Sequence, residues 1–193
     1  MPEPPHIVGI GGSAGGLEAL KKLLPALPAD YPWAVVVVVH ASGGYRDTRL
    51  DAVLAQCCAL PVREAQPRQP AQPGVVHVAP VGYHLLLEKD RRFALSVDEK
   101  VSYVRPSIDV LFDSLADACG RRCVGVILTG ANEDGAAGLA AIRRGGGLAL
   151  VQDPAEARAP QMPEAALRVA GADAVLKLHN LAARVAGLPK ELA

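Results

Sequence analysis

Residues Val35 to Val39 are five valines in a row, preceded by Ala34 and followed by His40. A β-branched run this uniform has no polar face. It makes a stable strand only where both faces are covered, as at the centre of a parallel sheet flanked by helices. The run is far too short to cross a bilayer, which takes about 20 apolar residues as a helix. The rest of the chain agrees, because short β-branched segments alternate with helix-spaced ones.

Read in order, a strand over residues 6–10 leads into a glycine-rich turn over 11–16 and a helix over 17–24, which Pro25 and Pro28 stop. The valine strand, 34–39, is followed by a helix over 48–58 and a short strand over 62–64. Residues 66–73 are rich in proline and glutamine and form a loop. A strand over 75–79 precedes a β-hairpin, 84–88 with 93–97, whose turn is charged. Over 107–119, Ile108, Leu111, Phe112 and Leu115 share one helical face. Strands over 124–128, 148–152 and 174–178 alternate with helices over 136–144, 163–169 and the C-terminus.

The chain has 193 residues, enough to bury a full core, and is expected to form a single domain over 1–193. Aromatics are few, so Val, Leu, Ile and Ala must build that core. Twenty basic residues balance twenty acidic ones, which argues against a general attraction to nucleic acid or an anionic membrane. Cys57, Cys58, Cys119 and Cys123 have neither disulfide-framework nor zinc spacing and read as packed thiols. No basic segment with an apolar run opens the chain, so a soluble cytoplasmic protein is expected.

The informative polar residues fall at strand ends, where open parallel sheets bind ligands. Gly11-Gly12-Ser13-Ala14-Gly15-Gly16 follows the first strand, His40 follows the valine strand, and Thr129 to Gly135 follows the strand over 124–128. The glycines also fit a loose dinucleotide fingerprint, but His40 stands where its ribose-binding acid belongs. No lysine follows them, which excludes a Gly-Lys-Ser phosphate loop. A serine in such a turn can be a helix cap, and an aspartate before glycine can be turn chemistry. Joint placement supports a different reading: Ser13 as nucleophile, His40 as its base and Asp134 as the acid orienting the imidazole. The glycine loop and the start of the 131 loop offer backbone N–H groups for an oxyanion hole.

These segments resemble the CheB-type protein-glutamate methylesterases of bacterial chemotaxis. Residues 7–16 look like the family's nucleophile segment, and Val39-His40 like its histidine strand. Arg105-Pro106-Ser107-Ile108-Asp109-Val110-Leu111-Phe112 is similar to its Arg-Pro-Ser-x-Asp-x-Leu-Phe signature. Residues 125–130 leading to Asp134-Gly135-Ala136, and Gln152-Asp153 followed by Met162-Pro163-Glu164-Ala165, resemble its later segments. The likeness runs from about Ile7 to Leu188. It implies a doubly wound, mostly parallel α/β sheet of about seven strands with a small antiparallel hairpin, a Rossmann-like three-layer sandwich. It also implies hydrolysis of glutamate γ-methyl esters on chemoreceptor-type signalling proteins, and deamidation of glutamines in some members, with no metal or organic cofactor. Gly12, Ala14 and Ala131 would line the oxyanion and substrate side, and Arg105 would either contact an acidic receptor helix or cap or pair within the loop before the Ser107 helix. The alternative is a non-catalytic nucleotide-binding or signalling scaffold on the same fold.

This sequence departs from the family pattern in three places. Ala14 stands where threonine is common. Ala131-Asn132-Glu133 replaces Met-Gly-Asn before the aspartate, keeping a backbone N–H but losing side-chain packing. Family members often carry an N-terminal receiver domain over the site, whereas the catalytic segment here begins at Ile7; the corresponding expectation is an enzyme either constitutively open or gated by a separate receiver-domain regulator. Asp109 and Asp113 read as a solvated helix face, and His77, His84 and His179 carry no assigned role.

Overall fold

The computed structural model describes residues 5–40 and 49–192. Seven parallel strands form the central sheet in the order β3-β4-β2-β1-β7-β8-β9. They are β1 (Ile7–Gly12), β2 (Ala34–Val39), β3 (Val62–Glu64), β4 (Val76–Val78), β7 (Cys123–Ile127), β8 (Leu148–Gln152) and β9 (Ala174–Leu176). The hairpin β5 (His84–Leu87) and β6 (Phe93–Ser96) is antiparallel and forms its own two-stranded sheet. The chain therefore has the doubly wound α/β fold expected of it.

The valine run lies next to the centre and is buried on both faces. Alternate residues feed two cores. Val35 and Val37 join Val8, Ile10, Val124 and Val126 beneath α1 (Gly16–Leu23), α2 (Leu50–Ala55) and α6 (Leu178–Glu191). Val36 and Val38 join Ile7, Ile127 and Val151 beneath α3 (Ile108–Cys119), α4 (Ala136–Arg144), α5 (Gln161–Val169) and the hairpin. Three layers result.

Several boundaries move for local reasons. The first strand runs on through Gly11 and Gly12, because both keep their pairing with β2. Its helix starts at Gly16 and tightens into a 3₁₀ turn over Leu24–Ala26 at Pro25. The helix expected over 48–58 covers Leu50–Ala55, and Thr48 lies outside the described residues. Its end is a turn in which Cys57 N–H donates to the Leu54 carbonyl. Ser107 is the N-cap of α3 rather than its first residue, accepting from Val110 N–H. The four cysteines are free thiols.

One close approach decides where the site is built. A Cβ on Gly11 would run into Ile108, so only glycine lets the first turn of α3 press against β1. That contact brings the N-terminus of α3 to the carboxyl rim of the sheet. The strand order reverses between β1 and β7, and an open α/β sheet has its binding crevice at such a point.

Candidate active site

Gly12 pairs with Val39 in the β1–β2 register, so Ser13 and His40 are the next residues on two neighbouring strands. The His40 N–H donates to the Gly12 carbonyl at 3.1 Å, and the Ser13 N–H donates to the Thr129 carbonyl at 3.0 Å. Ser13 is thus stitched between the rims of β2 and β7. It is not a helix cap: α1 is preceded by Gly15, whose φ of 80° suits glycine, and no side chain caps it. Ser13 and His40 line the same cavity, of about 660 Å³. No hydrogen bond among the described residues engages the Ser13 hydroxyl.

Asp134 follows β7 and is fully buried. Its Oδ2 lies 2.8 Å from His40 Nε2 and accepts from the Ile108 N–H at 2.6 Å. Its Oδ1 accepts from the Ser107 hydroxyl at 2.7 Å and the Asp109 N–H at 3.1 Å. Burial alone would raise this carboxyl's pKa. The bonds from His40, the Ile108 amide, Ser107 and the Asp109 amide outweigh it and hold the pKa below the usual carboxylate range. An ionised carboxylate only accepts, so the shared hydrogen belongs to His40 Nε2 and the lone pair to Nδ1. Nδ1 is the basic nitrogen.

Three groups around this pair have no site role assigned from the sequence. Ser107 and the first amides of α3 form a cradle for Asp134, a helix N-terminus holding an anion. His84, left without a role by the sequence, is buried behind it. The Ser107 N–H donates to His84 Nδ1 at 3.2 Å, so His84 carries its hydrogen on Nε2, which donates to the Glu99 carbonyl at 3.0 Å. Asn132 places Nδ2 3.3 Å from His40 Nδ1, while its Oδ1 accepts from the Asp134 N–H at 3.2 Å. Of these, only Ser107 left a trace in the chain, as a capping residue ahead of an apolar helical face.

Of the backbone groups expected to meet an oxyanion, the Ala14 and Ala131 N–H groups make no hydrogen bond among the described residues. Gly12 differs. It is the last residue of β1, and the parallel ladder that takes its carbonyl to His40 draws its N–H the same way. Arg105 lines the cavity, but its Nη1 donates to the carbonyls of Val97 and Asp98 at 2.6 and 2.8 Å. That guanidinium pins the strand leaving β6, and its Nε is buried without a partner.

Asp109 is not on a solvated face as expected. Its Oδ1 accepts from the Gly138 N–H at 2.7 Å in the first turn of α4. Burial, with Asp134 and Asp113 nearby, pushes its carboxyl up to about 6. Glu133 points outward, 3.7 Å from Arg168, so its charge is met on the surface and not at the imidazole. His77 accepts from the Gln72 N–H, and burial lowers it to about 4, which keeps it neutral inside the core. No cluster of three metal-ligating side chains occurs among the described residues, and none of their helices is long and apolar enough to cross a membrane.

A doubly wound sheet with a serine, an imidazole and a buried carboxylate gathered at its carboxyl rim defines an α/β domain of the serine-hydrolase kind. Comparison with known proteins places it further. The profile described as CheB methylesterase matches residues 8–185, and the chain belongs to that family. It is 44% identical over 173 residues to a putative protein-glutamate methylesterase/protein-glutamine glutaminase of Leptospira interrogans, covering 90% of this chain and 89% of that protein. It is 40% identical over 179 residues to a protein-glutamate methylesterase/protein-glutamine glutaminase of Symbiobacterium thermophilum, and spans 49% of that longer protein. The crystal structure of the Thermotoga maritima CheB methylesterase catalytic domain matches with a TM-score of 0.91 at 31% identity. That match covers 96% of this chain and all of that one.

Proposed function

We propose that this chain, as a single domain over 1–193, is a serine hydrolase that removes methyl groups from glutamate γ-methyl esters on chemoreceptor-type proteins. Deamidation of glutamines on such proteins is the second activity of the same site. The observation that carries the reading is the His40–Asp134 pair, 2.8 Å apart, on the strand end beside Ser13.

In this mechanism His40 Nδ1 takes the Ser13 proton as Oγ bonds to the ester carbonyl carbon. The oxygen of that carbonyl becomes anionic, and the Ala14 and Ala131 N–H groups receive it. Asp134 stabilises the imidazolium through Nε2–H throughout. Collapse breaks the bond to the methoxy oxygen, which leaves as methanol with the Nδ1 proton. Water then attacks the glutamyl–Ser13 ester with Nδ1 again as base, releasing the glutamate carboxylate and restoring the hydroxyl. A glutamine follows the same route with ammonia as leaving group. Arg105, which lines the cavity, is the group proposed to meet acidic substrate. A phosphorylated receiver domain is the proposed external regulator, read as a change in turnover when one is added.

The test is methanol release from a γ-methylated receptor fragment, alongside labelling by a fluorophosphonate. Ser13→Ala is expected to lower turnover by about 10⁴-fold or more and to abolish labelling, with the melting curve unchanged. Turnover within tenfold of the parent would remove Ser13 from the mechanism. Absence of labelling in the parent protein, with binding of a dinucleotide, would favour the scaffold reading.

A further inference from the structure

The amide of Asn132 has only one orientation that satisfies its neighbours. The Asp134 N–H requires an acceptor and finds Oδ1 at 3.2 Å, which turns Nδ2 toward His40. Nδ2 is a donor, and the nitrogen it meets at 3.3 Å, Nδ1, is the one left with a lone pair once Asp134 has fixed the hydrogen on Nε2. Both bonds of the Asn132 side chain are therefore matched, donor to acceptor, with no freedom to flip. Ser13, beside His40 in the strand register, has no hydrogen bond to that nitrogen. The lone pair that the proposed mechanism needs is already occupied.

We propose that Asn132 is a positioning residue that holds its amide on His40 Nδ1 in the resting protein, shielding the base from Ser13 until substrate enters. The proposal rests on the hydrolase reading above and adds a latch to it. The same side chain ties the latch to Asp134, because the Asx turn that aims Nδ2 also holds the Asp134 backbone. When an ester occupies the cavity, the amide must leave Nδ1 before the Ser13 proton can arrive there. Resting reactivity toward stray electrophiles is held down, and the imidazole keeps its tautomer while it waits. Asp134 is the charged group on the Nε2 side of His40. Glu18, Asp51, Glu64, Lys100, Arg105 and Arg158 line the cavity, and the variants below leave all of them in place.

Two substitutions separate the latch from the turn. Asn132→Ala removes both bonds. Asn132→Asp keeps an oxygen for the Asp134 N–H but replaces the donor with a carboxylate oxygen. In the full chain, fluorophosphonate labelling of Ser13 is expected to speed up about two- to tenfold in Asn132→Ala, the range set by loss of one ordinary hydrogen bond. In Asn132→Asp the donor at Nδ1 is lost while the Asp134 N–H keeps its acceptor, so a change shared with Asn132→Ala belongs to the latch and not to the turn. The ¹⁵N resonance of His40 Nδ1 should be that of a hydrogen-bonded acceptor in the parent and shift toward a free lone pair in Asn132→Ala. Labelling of Asn132→Ala at or below the parental rate would overturn the proposal, as would a parent Nδ1 that carries the proton. If Asn132→Ala does not fold, the parent Nδ1 resonance decides, and one typical of a free lone pair rejects the latch. If Ser13 labels in none of the proteins, the hydrolase reading falls, and the Nδ1 resonance alone decides whether the amide is held there.

Discussion

The two loops that meet at the rim are built on opposite plans. After β7 the chain directs four donors at one carboxylate: His40 Nε2, the Ser107 hydroxyl, and the Ile108 and Asp109 amides. After β1 it fastens the backbone of Ser13 to Thr129 and leaves the hydroxyl without a partner. The difference follows from charge. An anion taken out of water is tolerable only when fixed dipoles replace its hydration, so the Asp134 end must be complete before substrate arrives. A neutral hydroxyl carries no such requirement, and under the proposed mechanism any permanent partner would compete with its base.

The largest expected effect comes from undoing the finished end. Asp134→Asn presents an amide NH₂ to groups that are all donors and no longer holds the hydrogen on Nε2. Turnover is expected to fall about 10⁴-fold, as loss of a tautomer-setting acid does elsewhere, with about 2–3 kcal/mol of stability from unsatisfied amides. Methanol release and denaturant melts read the two. The stability part has a pH signature. Because the folded pKa of Asp134 is lowered, its contribution is present above the ordinary carboxylate range and disappears as pH falls through the folded value. The gap between parent and variant should close in acid. A gap independent of pH would mean that the charge is not what the cradle holds.

Ser107→Ala is a smaller break in the same cradle. It removes one of the four donors and the cap on Val110 N–H, with a cost of about 1–2 kcal/mol in stability. Turnover is expected to drop about tenfold, reached only through Asp134. An unchanged rate with lost stability would make Ser107 a helix cap and nothing more.

Asp109 gives the smallest effect and the opposite sign. Its folded pKa is raised from 3.8 to about 6, so the stability it contributes is present in acid and lost as pH rises through about 6. Asp109→Asn keeps an oxygen for the Gly138 N–H without the charge. It should be the more stable protein by about 1 kcal/mol at neutral pH, after discounting for partial exposure, and show no advantage near pH 4. Urea midpoints at the two pH values measure this. Equal midpoints at neutral pH would show that solvent already screens the second carboxylate.

The sequence made the buried strand, the alternating α/β pattern and the three polar strand ends legible, because each is a local pattern of period or turn. It left the cradle dark. Ser107 stands 27 positions from Asp134, and its side of the site exists only because Gly11 lets α3 lie against β1. His84 is hidden for the same reason: a histidine that starts a hairpin strand gives no hint that it accepts from Ser107. Asp109 and Asp113 share helical spacing, which reads as one wet face; packing against α4 buries the first more than the second. Arg105 is open to two readings from sequence, outward contact or pairing within its own loop, and part of its guanidinium holds two carbonyls of its own chain.

Thr129 lies two residues past β7, beside Ser13, and its hydroxyl works in two directions. Oγ1 donates to the Ala14 carbonyl at 2.9 Å and accepts from the Ala159 N–H at 2.8 Å, while its own amide leans on Gln152. Three separate stretches of chain are riveted through a single atom. Arg158, whose side chain packs at Gly15, therefore stands on the same plate as Ser13. Ser13 and Arg158 are each one residue from a backbone group bound to that hydroxyl, so the two are tied together with no helix between them.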